Sequence, residues 1–278
     1  MIEQVIERIW PLGVDSVEPL GGGMTNHNFK VQVGGQSFVL RVGGENTELL
    51  GIDRSVEHDA SLAAAALGIA PEVIAFIGPE GYLVTRFVAG ESCRVSAPEA
   101  ARLLRRFHAG RAISGRFDAF AVIEAYAATA HAAGIVHPPG YAAARRTADR
   151  IARRRGPFEA CPCHNDLLAA NFIHGDGRLW VVDWEYAGMG DPAFDLANFA
   201  VNNGLDEAGD DELLAAYGGG HPDVHVLMRY VSDLREAMWG LVQQAIAKIE
   251  FDFARYADDH FARLEQIAAE PRFGRALR

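Results

Sequence analysis

One stretch in the second half of the chain constrains the fold most strongly. His164, Asp166 and Asn171 form the pattern His-x-Asp-x-x-x-x-Asn, and an apolar run further on ends in Asp183. Between them, Gly175-Asp-Gly177 separates two short apolar segments, which is typical of a tight β-hairpin. Such a hairpin brings Asn171 and Asp183 together. The chain must therefore fold so that a polar loop and a hairpin present these groups at one place.

These groups fit phosphoryl transfer from a nucleoside triphosphate. The reaction needs an acceptor hydroxyl positioned by a carboxylate, and Mg²⁺ held against the phosphates by oxygen ligands. Asp166 is the catalytic carboxylate in this interpretation, whereas Asn171 and Asp183 are the metal ligands. We place His164 beside them as support for the backbone of the loop. The alternative for Asp166 is a turn-forming residue after Asn165, but its companions favour a function.

The composition indicates an ordinary globular chain. Its 278 residues are 49% hydrophobic, enough for one large domain or two modest ones. The 26 basic and 37 acidic residues give a net charge of −11, which argues against a nucleic-acid partner and is compatible with a cationic small substrate. Such a charge often serves only solubility. Since no signal-peptide pattern or membrane-spanning apolar run is present, we expect a cytoplasmic protein without membrane insertion.

The chain contains an odd number of cysteines, which are Cys93, Cys161 and Cys163. The Cys-Pro-Cys spacing is too short for the usual zinc knuckle, and no second cysteine pair completes four ligands. We therefore interpret the cysteines as reduced packing residues.

Periodicity and turn signals predict two lobes, over residues 1–89 and 90–278. Gly21-Gly22-Gly23 lies where a loop could cover phosphates, although glycine runs more often simply make turns. The first lobe should hold a short helix over 1–12, hairpins over 20–42 and 73–88 and a helix over 47–67. In the second lobe, helices are predicted over 98–108, 117–133, 141–155, 192–202 and 224–268, the last broken near 250–252.

Several segments resemble the choline/ethanolamine kinase family of the aminoglycoside phosphotransferase and protein-kinase-like superfamily. The resemblance covers nearly the whole chain, and the segments occur in the family's order. It implies a bilobal α+β fold in which a small antiparallel β lobe with one helix joins a larger, mainly helical lobe. ATP would lie between the lobes. The matching segments are residues 22–31, 163–173, 183–188, 191–198 and 234–244.

The resemblance also implies how the nucleotide is held. Arg41 takes the place of the phosphate-binding lysine of protein kinases, and Glu57 would be its partner on the small-lobe helix. The alternative is an ordinary surface pair. Asp195 resembles the buried helix aspartate that braces the catalytic loop in the superfamily, or it only matches the helix dipole. The adenine would lie near Thr85 to Ala89, and the remaining cofactor-binding candidates are Thr25, Asn26 and Phe87.

The resemblance further implies a pocket for a small ammonium group, held by aromatic faces and carboxylates. Tyr186 and Trp239 match aromatic positions of the choline kinase pocket. Each could equally be a core residue. The other substrate-binding candidates lie close to these two in sequence and are Trp184 and Glu185, with Asp233 and Glu236 nearby.

Two departures from the family pattern weaken the case for choline itself. Choline kinases tend to read Leu-Trp-Gly-Leu-Trp in the late helix, where this chain has Val242 in the last place. Asn202 and Asn203 stand near the position of an expected acidic pocket residue. Ethanolamine or another small amino alcohol therefore stays open as the acceptor.

The sequence supports three hypotheses. The first is an ATP- and Mg²⁺-dependent kinase of a small amino alcohol such as choline or ethanolamine. The second keeps the chemistry and changes the acceptor to an aminoglycoside, thiamine or a sugar. The third is a nucleotide-binding pseudokinase that regulates a partner, against which the retention of Asp166, Asn171 and Asp183 speaks. A homodimer is left open.

Overall fold

The computed structural model describes residues 2–21, 25–78 and 80–278. Gly22 and Gly23 of the glycine run lie outside these described residues. Among the residues that the structure describes, no helix combines the length and the apolar character that a membrane crossing needs.

The first lobe is built on a five-stranded antiparallel sheet with the strand order β1-β2-β3-β5-β4. Both predicted hairpins are present, and Gly34 and Gly35 turn the first of them with φ values of 56° and 78°. The sequence did not predict β1, because Pro19 argues against a strand; an edge strand tolerates it. The elements are α1 (Ile2–Ile9), β1 (Ser16–Leu20), β2 (Asn26–Val33), β3 (Gln36–Gly43), α2 (Arg54–Ala66), β4 (Val73–Ile77) and β5 (Tyr82–Arg86).

The helix predicted over 47–67 is wrong in its first part. A 3₁₀ turn over Thr47–Leu50 ends at Gly51, whose φ of 75° is outside the helical region. Asp53 then caps α2, because its side chain accepts a hydrogen bond from the backbone N–H of Ser55 at 2.9 Å. This restart fixes the face on which α2 carries its charged residues.

Strand β6 (Gly90–Ser92) joins the first lobe to the central hairpin by pairing with β8 (Phe172–Gly175). Only glycine fits at Gly90, since a Cβ there would lie 2.2 Å from the carbonyl oxygen of His174. Strand β8 also pairs with β9 (Arg178–Val181), as the Gly-Asp-Gly turn predicted. Asn171 directly precedes β8 and Asp183 lies two residues beyond β9, so the hairpin brings the two residues to the same end.

The second lobe is mainly helical. Its central helix, α8 (Pro222–Ile246), packs against α4 (Ala119–Ala132), α6 (Pro192–Asn202) and α9 (Phe253–Ala269). Every residue from 230 to 243 is buried, although Asp233, Arg235 and Glu236 are among them. Buried charges need partners, so α8 must supply polar contacts inside the lobe. The elements are α3 (Ala97–His108), α4 (Ala119–Ala132), α5 (Tyr141–Arg155), β7 (Cys161–Cys163), β10 (Gly188–Gly190), α6 (Pro192–Asn202), α7 (Glu207–Tyr217), α8 (Pro222–Ile246), α9 (Phe253–Ala269) and α10 (Pro271–Ala276).

Candidate active site

Helix α6 holds the backbone of the polar loop. The two carboxylate oxygens of Asp195 accept hydrogen bonds from the backbone N–H groups of His164 at 3.0 Å and Asn165 at 2.7 Å. Asn198 accepts a third, from the backbone N–H of Leu167 at 2.7 Å. Asn165 has a φ of 66°, an unusual conformation for a residue other than glycine. The loop is therefore held in a defined and strained shape.

Two amide side chains complete this bracing. Asn203 donates to the carbonyl of Leu167 at 3.0 Å, so it supports the loop at the position where the family pattern suggested a pocket acid. Asn198 donates in turn to the hydroxyl of Ser232 at 3.1 Å, which connects the loop to α8. Sequence reasoning did not assign Asn198 a role, although it lies one helical turn beyond Asp195 and therefore on the same face.

Asp195 is fully buried and also accepts a hydrogen bond from Nε2 of His108 at 2.9 Å. Burial alone would raise the pKa of this carboxyl group. The hydrogen bonds from His108 and the loop backbone outweigh burial, so the pKa of Asp195 lies below its ordinary value. Asp195 is thus an anion at neutral pH.

His164 is fully buried, and both of its ring nitrogens are used. Nδ1 accepts from the backbone N–H of Asp166 at 3.2 Å, so Nε2 carries the proton that it donates to the carbonyl of Val182 at 3.1 Å. Burial lowers the pKa of His164, which keeps the ring neutral. The substrate candidate Trp184 lies in the core, with its ring 4.6 Å from both His164 and Phe107.

Asp166 faces a buried arginine that the sequence analysis did not assign. Arg235 is 1% exposed and donates from Nη1 to Asp166 at 3.3 Å and to Glu236 at 2.6 Å. Its guanidinium carbon also lies 4.4 Å from the centre of the Tyr186 ring. Burial raises the pKa of Asp166 to about 8, and the positive charge of Arg235 opposes that rise. A charged triplet inside an apolar helix was the signal that could have revealed Arg235.

Asp183 follows β9 with a φ of 64°, a conformation that favours glycine. Its Oδ1 is buried and has no hydrogen-bond partner within residues 2–21, 25–78 and 80–278. Nη1 of Arg41 lies 3.9 Å from this oxygen. Burial and the nearby Glu185 raise the pKa of Asp183 to about 7. A cation placed here would therefore find an available carboxylate oxygen.

Arg41 and Glu57 form a buried ion pair, in which Glu57 has no exposed surface. The surface pair that the sequence left as an alternative is thereby excluded. Burial lowers the pKa of Arg41 to about 10, so the guanidinium stays charged at neutral pH. The pair directs a positive charge from β3 toward Asp183.

Asn171 lies 7% exposed at the start of the hairpin and donates from Nδ2 to the carbonyl of Asp166 at 2.9 Å. The backbone N–H of Val182 donates to the carbonyl of Asn171 at 3.0 Å, which places Asp183 next in line. An amide oxygen and a carboxylate are ligands that suit Mg²⁺. Such an ion fits this donor set and Oδ1 of Asp183, which has no hydrogen-bond partner among the described residues.

Glu185 is the centre of a polar network between the lobes. It accepts hydrogen bonds from Thr25 at 2.7 Å, Asn26 at 2.8 Å and Arg54 at 3.3 Å. Arg54 also donates to Asn26 and Glu57, in each case at 2.8 Å. Glu185 is thus bonded directly to the cofactor candidates Thr25 and Asn26, and Arg54, which sequence reasoning missed, connects it to Glu57.

The two aromatic candidates meet in a buried pair. The indole N–H of Trp239 donates to the hydroxyl of Tyr186 at 3.0 Å. Helix α9 adds Phe253 and Tyr256, whose rings lie 5.7 Å and 5.6 Å from that of Trp239 in edge-on arrangements. Tyr256 also donates to Glu236 at 3.0 Å. These rings belong to one buried aromatic cluster in the core of the second lobe, to which α8 and α9 both contribute.

Two remaining candidates have other surroundings. Asp233 on α8 accepts from His260 at 2.8 Å and pairs with Arg263 at 2.6 Å, so its charge is already compensated. Phe87 follows β5, and the ammonium of Lys30 lies 4.4 Å from the centre of its ring. The structure brings neither of them into the cluster around Asp166.

A small β lobe, a helical lobe and a braced polar loop with converging carboxylates are the features of a kinase-like phosphotransferase. Residues 16–228 match the model of the family described as phosphotransferase enzyme family. The chain belongs to this family and, within it, to the choline/ethanolamine kinase family that the sequence resembles.

The solved structure of a choline/ethanolamine kinase family protein from Mesorhizobium loti is 32% identical, with a TM-score of 0.83 over 99% of this chain and 96% of that one. The choline kinase LicA from Streptococcus pneumoniae has the same fold, at 24% identity and a TM-score of 0.82 over 96% of this chain and 99% of that one. Protein LicA from Haemophilus influenzae is 27% identical over 213 residues, which are 70% of this chain and 61% of that relative.

Proposed function

We propose that the protein transfers the γ-phosphoryl group of ATP to the hydroxyl of a small amino alcohol, with choline and ethanolamine as the first candidates. One observation carries the proposal: the braced loop presents Asp166 beside a hairpin whose Asp183 has an oxygen without a partner among the described residues. Phosphoryl transfer depends on positioning and electrostatics, and this arrangement supplies both.

Asp166 is the residue that receives the acceptor. Arg235 occupies its Oδ1, which leaves Oδ2 to accept a hydrogen bond from the substrate hydroxyl. Only the ionised form of Asp166 can do this, and its raised pKa of about 8 makes that form predominant in the unliganded protein above that pH. In the ionised form the bond orients the hydroxyl oxygen toward the phosphorus atom, and the proton passes to the carboxylate as the ester bond forms. His164 keeps the loop in shape through its neutral ring and transfers no proton, since both nitrogens are already bonded.

The chain divides near Ala89 into two lobes, over residues 1–89 and 90–278. The nucleotide lies between them. Asn171 and Asp183 would hold Mg²⁺, which supplies positive charge to the phosphate oxygens. Arg41, fixed by Glu57, adds a second positive charge on the side of the first lobe. The remaining nucleotide contacts are assigned to Thr25, Asn26 and Phe87.

The acceptor pocket is placed at the aromatic pair of Tyr186 and Trp239, beside Asp166. Buried aromatic faces attract ammonium groups, and the net negative charge of the chain favours their approach. The similarity to the choline/ethanolamine kinase family protein from Mesorhizobium loti supports an acceptor of this class. Trp184 and Glu185 contribute through their neighbours, because Trp184 packs on His164 and Glu185 bonds to the first lobe.

A thiamine acceptor is the second candidate. A thiamine kinase from Escherichia coli is 44% identical over 54 residues, or 19% of this chain. Aminoglycosides and sugars are retained as further acceptors. A regulatory pseudokinase is disfavoured by the presence of Asp166, Asn171 and Asp183.

The test is ATP consumption with Mg²⁺ over a panel of choline, ethanolamine, thiamine, an aminoglycoside and simple sugars, with direct detection of the phosphoester. Asp166→Asn protein provides the background. Turnover of choline or ethanolamine above that background supports the proposal. If only another acceptor is turned over, the protein is still a kinase but the pocket at Tyr186 and Trp239 is assigned wrongly. ATP binding without any turnover favours the regulatory function.

A further inference from the structure

A second cluster of ligating groups lies behind the braced loop, on the side of α3 and β7. It consists of His108, Cys161 and Cys163, whose nitrogen and sulfur atoms all lie within 4.8 Å of one another. The two cysteines flank one proline in an extended strand, so their side chains leave the strand on the same face. His108 comes from the last turn of α3, 53 residues earlier in the chain. Sequence spacing alone therefore could not reveal the group.

The separation of the two sulfur atoms suits a metal ion. Cys161 Sγ and Cys163 Sγ are 3.7 Å apart. Two thiolates bound to zinc at about 2.3 Å in tetrahedral geometry stand about 3.8 Å apart. A disulfide would require about 2.0 Å, which is far shorter than the observed distance. The pair is thus already spaced as two corners of a tetrahedral site.

The orientation of His108 suits the same ion. Its Nε2 faces the carboxylate of Asp195 at 2.9 Å and therefore carries the proton. Nδ1 then has a free electron pair, which accepts the hydroxyl hydrogen of Tyr217 at 2.8 Å. Histidines that bind metals commonly donate their other N–H to a carboxylate in this way. Asp195 would be the carboxylate that accepts this N–H from His108.

We propose that His108 Nδ1, Cys161 Sγ and Cys163 Sγ form a binding site for a thiophilic divalent cation of the Zn²⁺ type. The hydroxyl of Tyr217 leaves Nδ1 when the ion binds, and the fourth position is then taken by this hydroxyl or by water. Both thiols lose their protons, so each bound cation releases two protons and binding becomes tighter as the pH rises. No electron is transferred.

The site differs in place and in chemistry from the proposed magnesium site. Sulfur and imidazole ligands select soft or borderline cations, whereas Asn171 and Asp183 offer oxygen alone. The two sites are connected through Asp195, which contacts His108 on one side and the backbone of His164 on the other. A bound cation would fix His108 and thereby stabilise the catalytic loop without touching ATP.

The direct test uses the full chain, reduced and stripped of metal, and titrates it with Co²⁺ in the absence of nucleotide. We expect thiolate-to-cobalt charge-transfer absorption that saturates at one ion per chain and disappears when Zn²⁺ is added. We also expect one equivalent of Zn²⁺ to raise the Tm by at least about 3 °C. Because neither readout involves turnover, the result is independent of the proposed kinase activity.

Matched cysteine variants locate the site. Cys161 is partly exposed, so Cys161→Ser should fold, and it should lose the absorption band and the Zn²⁺-dependent rise in Tm. Cys93→Ser removes the third cysteine, which the cluster does not include, and should keep both signals. Absence of the band in the wild-type chain overturns the proposal, as does a band that survives in Cys161→Ser or vanishes in Cys93→Ser. The titration of the wild-type chain tests the proposal even if a variant fails to fold.

Discussion

The carboxylates on the two faces of the polar loop differ in their hydrogen bonds and in their pKa values. On the α6 face, both oxygens of Asp195 accept hydrogen bonds, and its pKa is lowered. On the face toward the hairpin, burial raises the pKa of Asp166 to about 8 and that of Asp183 to about 7. In the described part of the chain, Oδ1 of Asp183 has no hydrogen-bond partner at all. One face is electrostatically complete, and the other is not.

The contrast distinguishes a carboxylate that stabilises the fold from carboxylates that are available to ligands. A buried charge is costly unless it is paired, so an incomplete face lowers the stability of the unliganded protein. Cations and phosphate oxygens can complete the pairing that the protein leaves open at Asp183 and Arg41. The hydrogen bonds on the α6 face keep the loop rigid, whether or not ligands are bound on the other face. Four substitutions test this division.

The largest effect is expected from Asp166→Asn. Removing the carboxylate that orients the hydroxyl should lower kcat by about 10²- to 10⁴-fold while ATP binding is retained. The asparagine keeps an oxygen that can accept from Arg235, so the fold should persist. Steady-state kinetics with a saturating acceptor measures the change. A variant that binds ATP and turns over at the wild-type rate would remove the catalytic assignment.

The same variant should be more stable than the wild type. The folded pKa of Asp166 is about 8, above the ordinary value of about 3.9, so the folded state holds a proton that the unfolded state has lost between these limits. The wild type therefore loses stability as the pH rises from about 4 to 8. Asp166→Asn lacks this loss. Its advantage in Tm should be near zero at pH 4 and largest above pH 8.

Asp183→Asn should have the next largest effect, on the nucleotide. Replacing one carboxylate of the proposed ion site should weaken Mg²⁺-dependent ATP binding by at least about 10- to 100-fold. Calorimetric titration of ATP with and without Mg²⁺ separates this effect from binding of the nucleotide alone. If Mg²⁺ strengthens ATP binding equally in the variant and the wild type, Asp183 is not a ligand.

The sequence predicted the elements whose ends are marked locally. Helix α6 begins at Pro192 after the cap Asp191 and ends at Asn202, as expected, and α5 matches its predicted range over Tyr141–Arg155. Strand β1 was missed because Pro19 argues against a strand, and the helix predicted from residue 47 failed where Gly51 interrupts it. Local sequence signals thus predict most helices and strands. They do not show that an edge strand accepts a proline or that a glycine interrupts a helix.

The site divides in the same manner. The residues of the motif and the hairpin could be found because turn chemistry brings them together over a few positions. Arg235 lies 69 residues from Asp166, and His108 lies 87 residues from Asp195, so only the packing of α8 and α3 reveals these pairs. Arg54 was missed for the same reason, since its partner Glu185 is 131 residues away.

Asp195→Asn tests the complete face and should have an intermediate effect. One accepting oxygen becomes a donor opposite a backbone N–H, which should cost about 1–3 kcal/mol of unfolding free energy. The loosened loop should lower kcat about 10-fold. Because the folded pKa of Asp195 is lowered, its stabilisation is present above pH 4 and is lost as the pH falls through that pKa. The difference in stability from wild type should therefore shrink in acid.

Asp210→Asn is the matched control for that prediction. Asp210 is a buried aspartate on α7 that also pairs with a histidine, His225, at 3.0 Å, and its pKa is likewise lowered. It does not contact the loop. Urea unfolding should therefore show a comparable loss of stability in both variants, whereas only Asp195→Asn should lose kcat. Equal losses of kcat would mean that general destabilisation, and not the loop, explains the effect.

The smallest effect is expected from Trp239→Phe, at the edge of the incomplete face. The change removes the hydrogen bond to Tyr186 and keeps an aromatic ring. It should weaken binding of the acceptor by about 0.5–1.5 kcal/mol, which raises the KM of the acceptor about 2- to 10-fold. The KM of ATP should not change. Trp180→Phe makes the same chemical change on β9, where the indole donates to the carbonyl of Gly175, and should leave the acceptor KM alone. If both variants raise it equally, Trp239 does not line the acceptor pocket, and the incomplete face ends at Asp166.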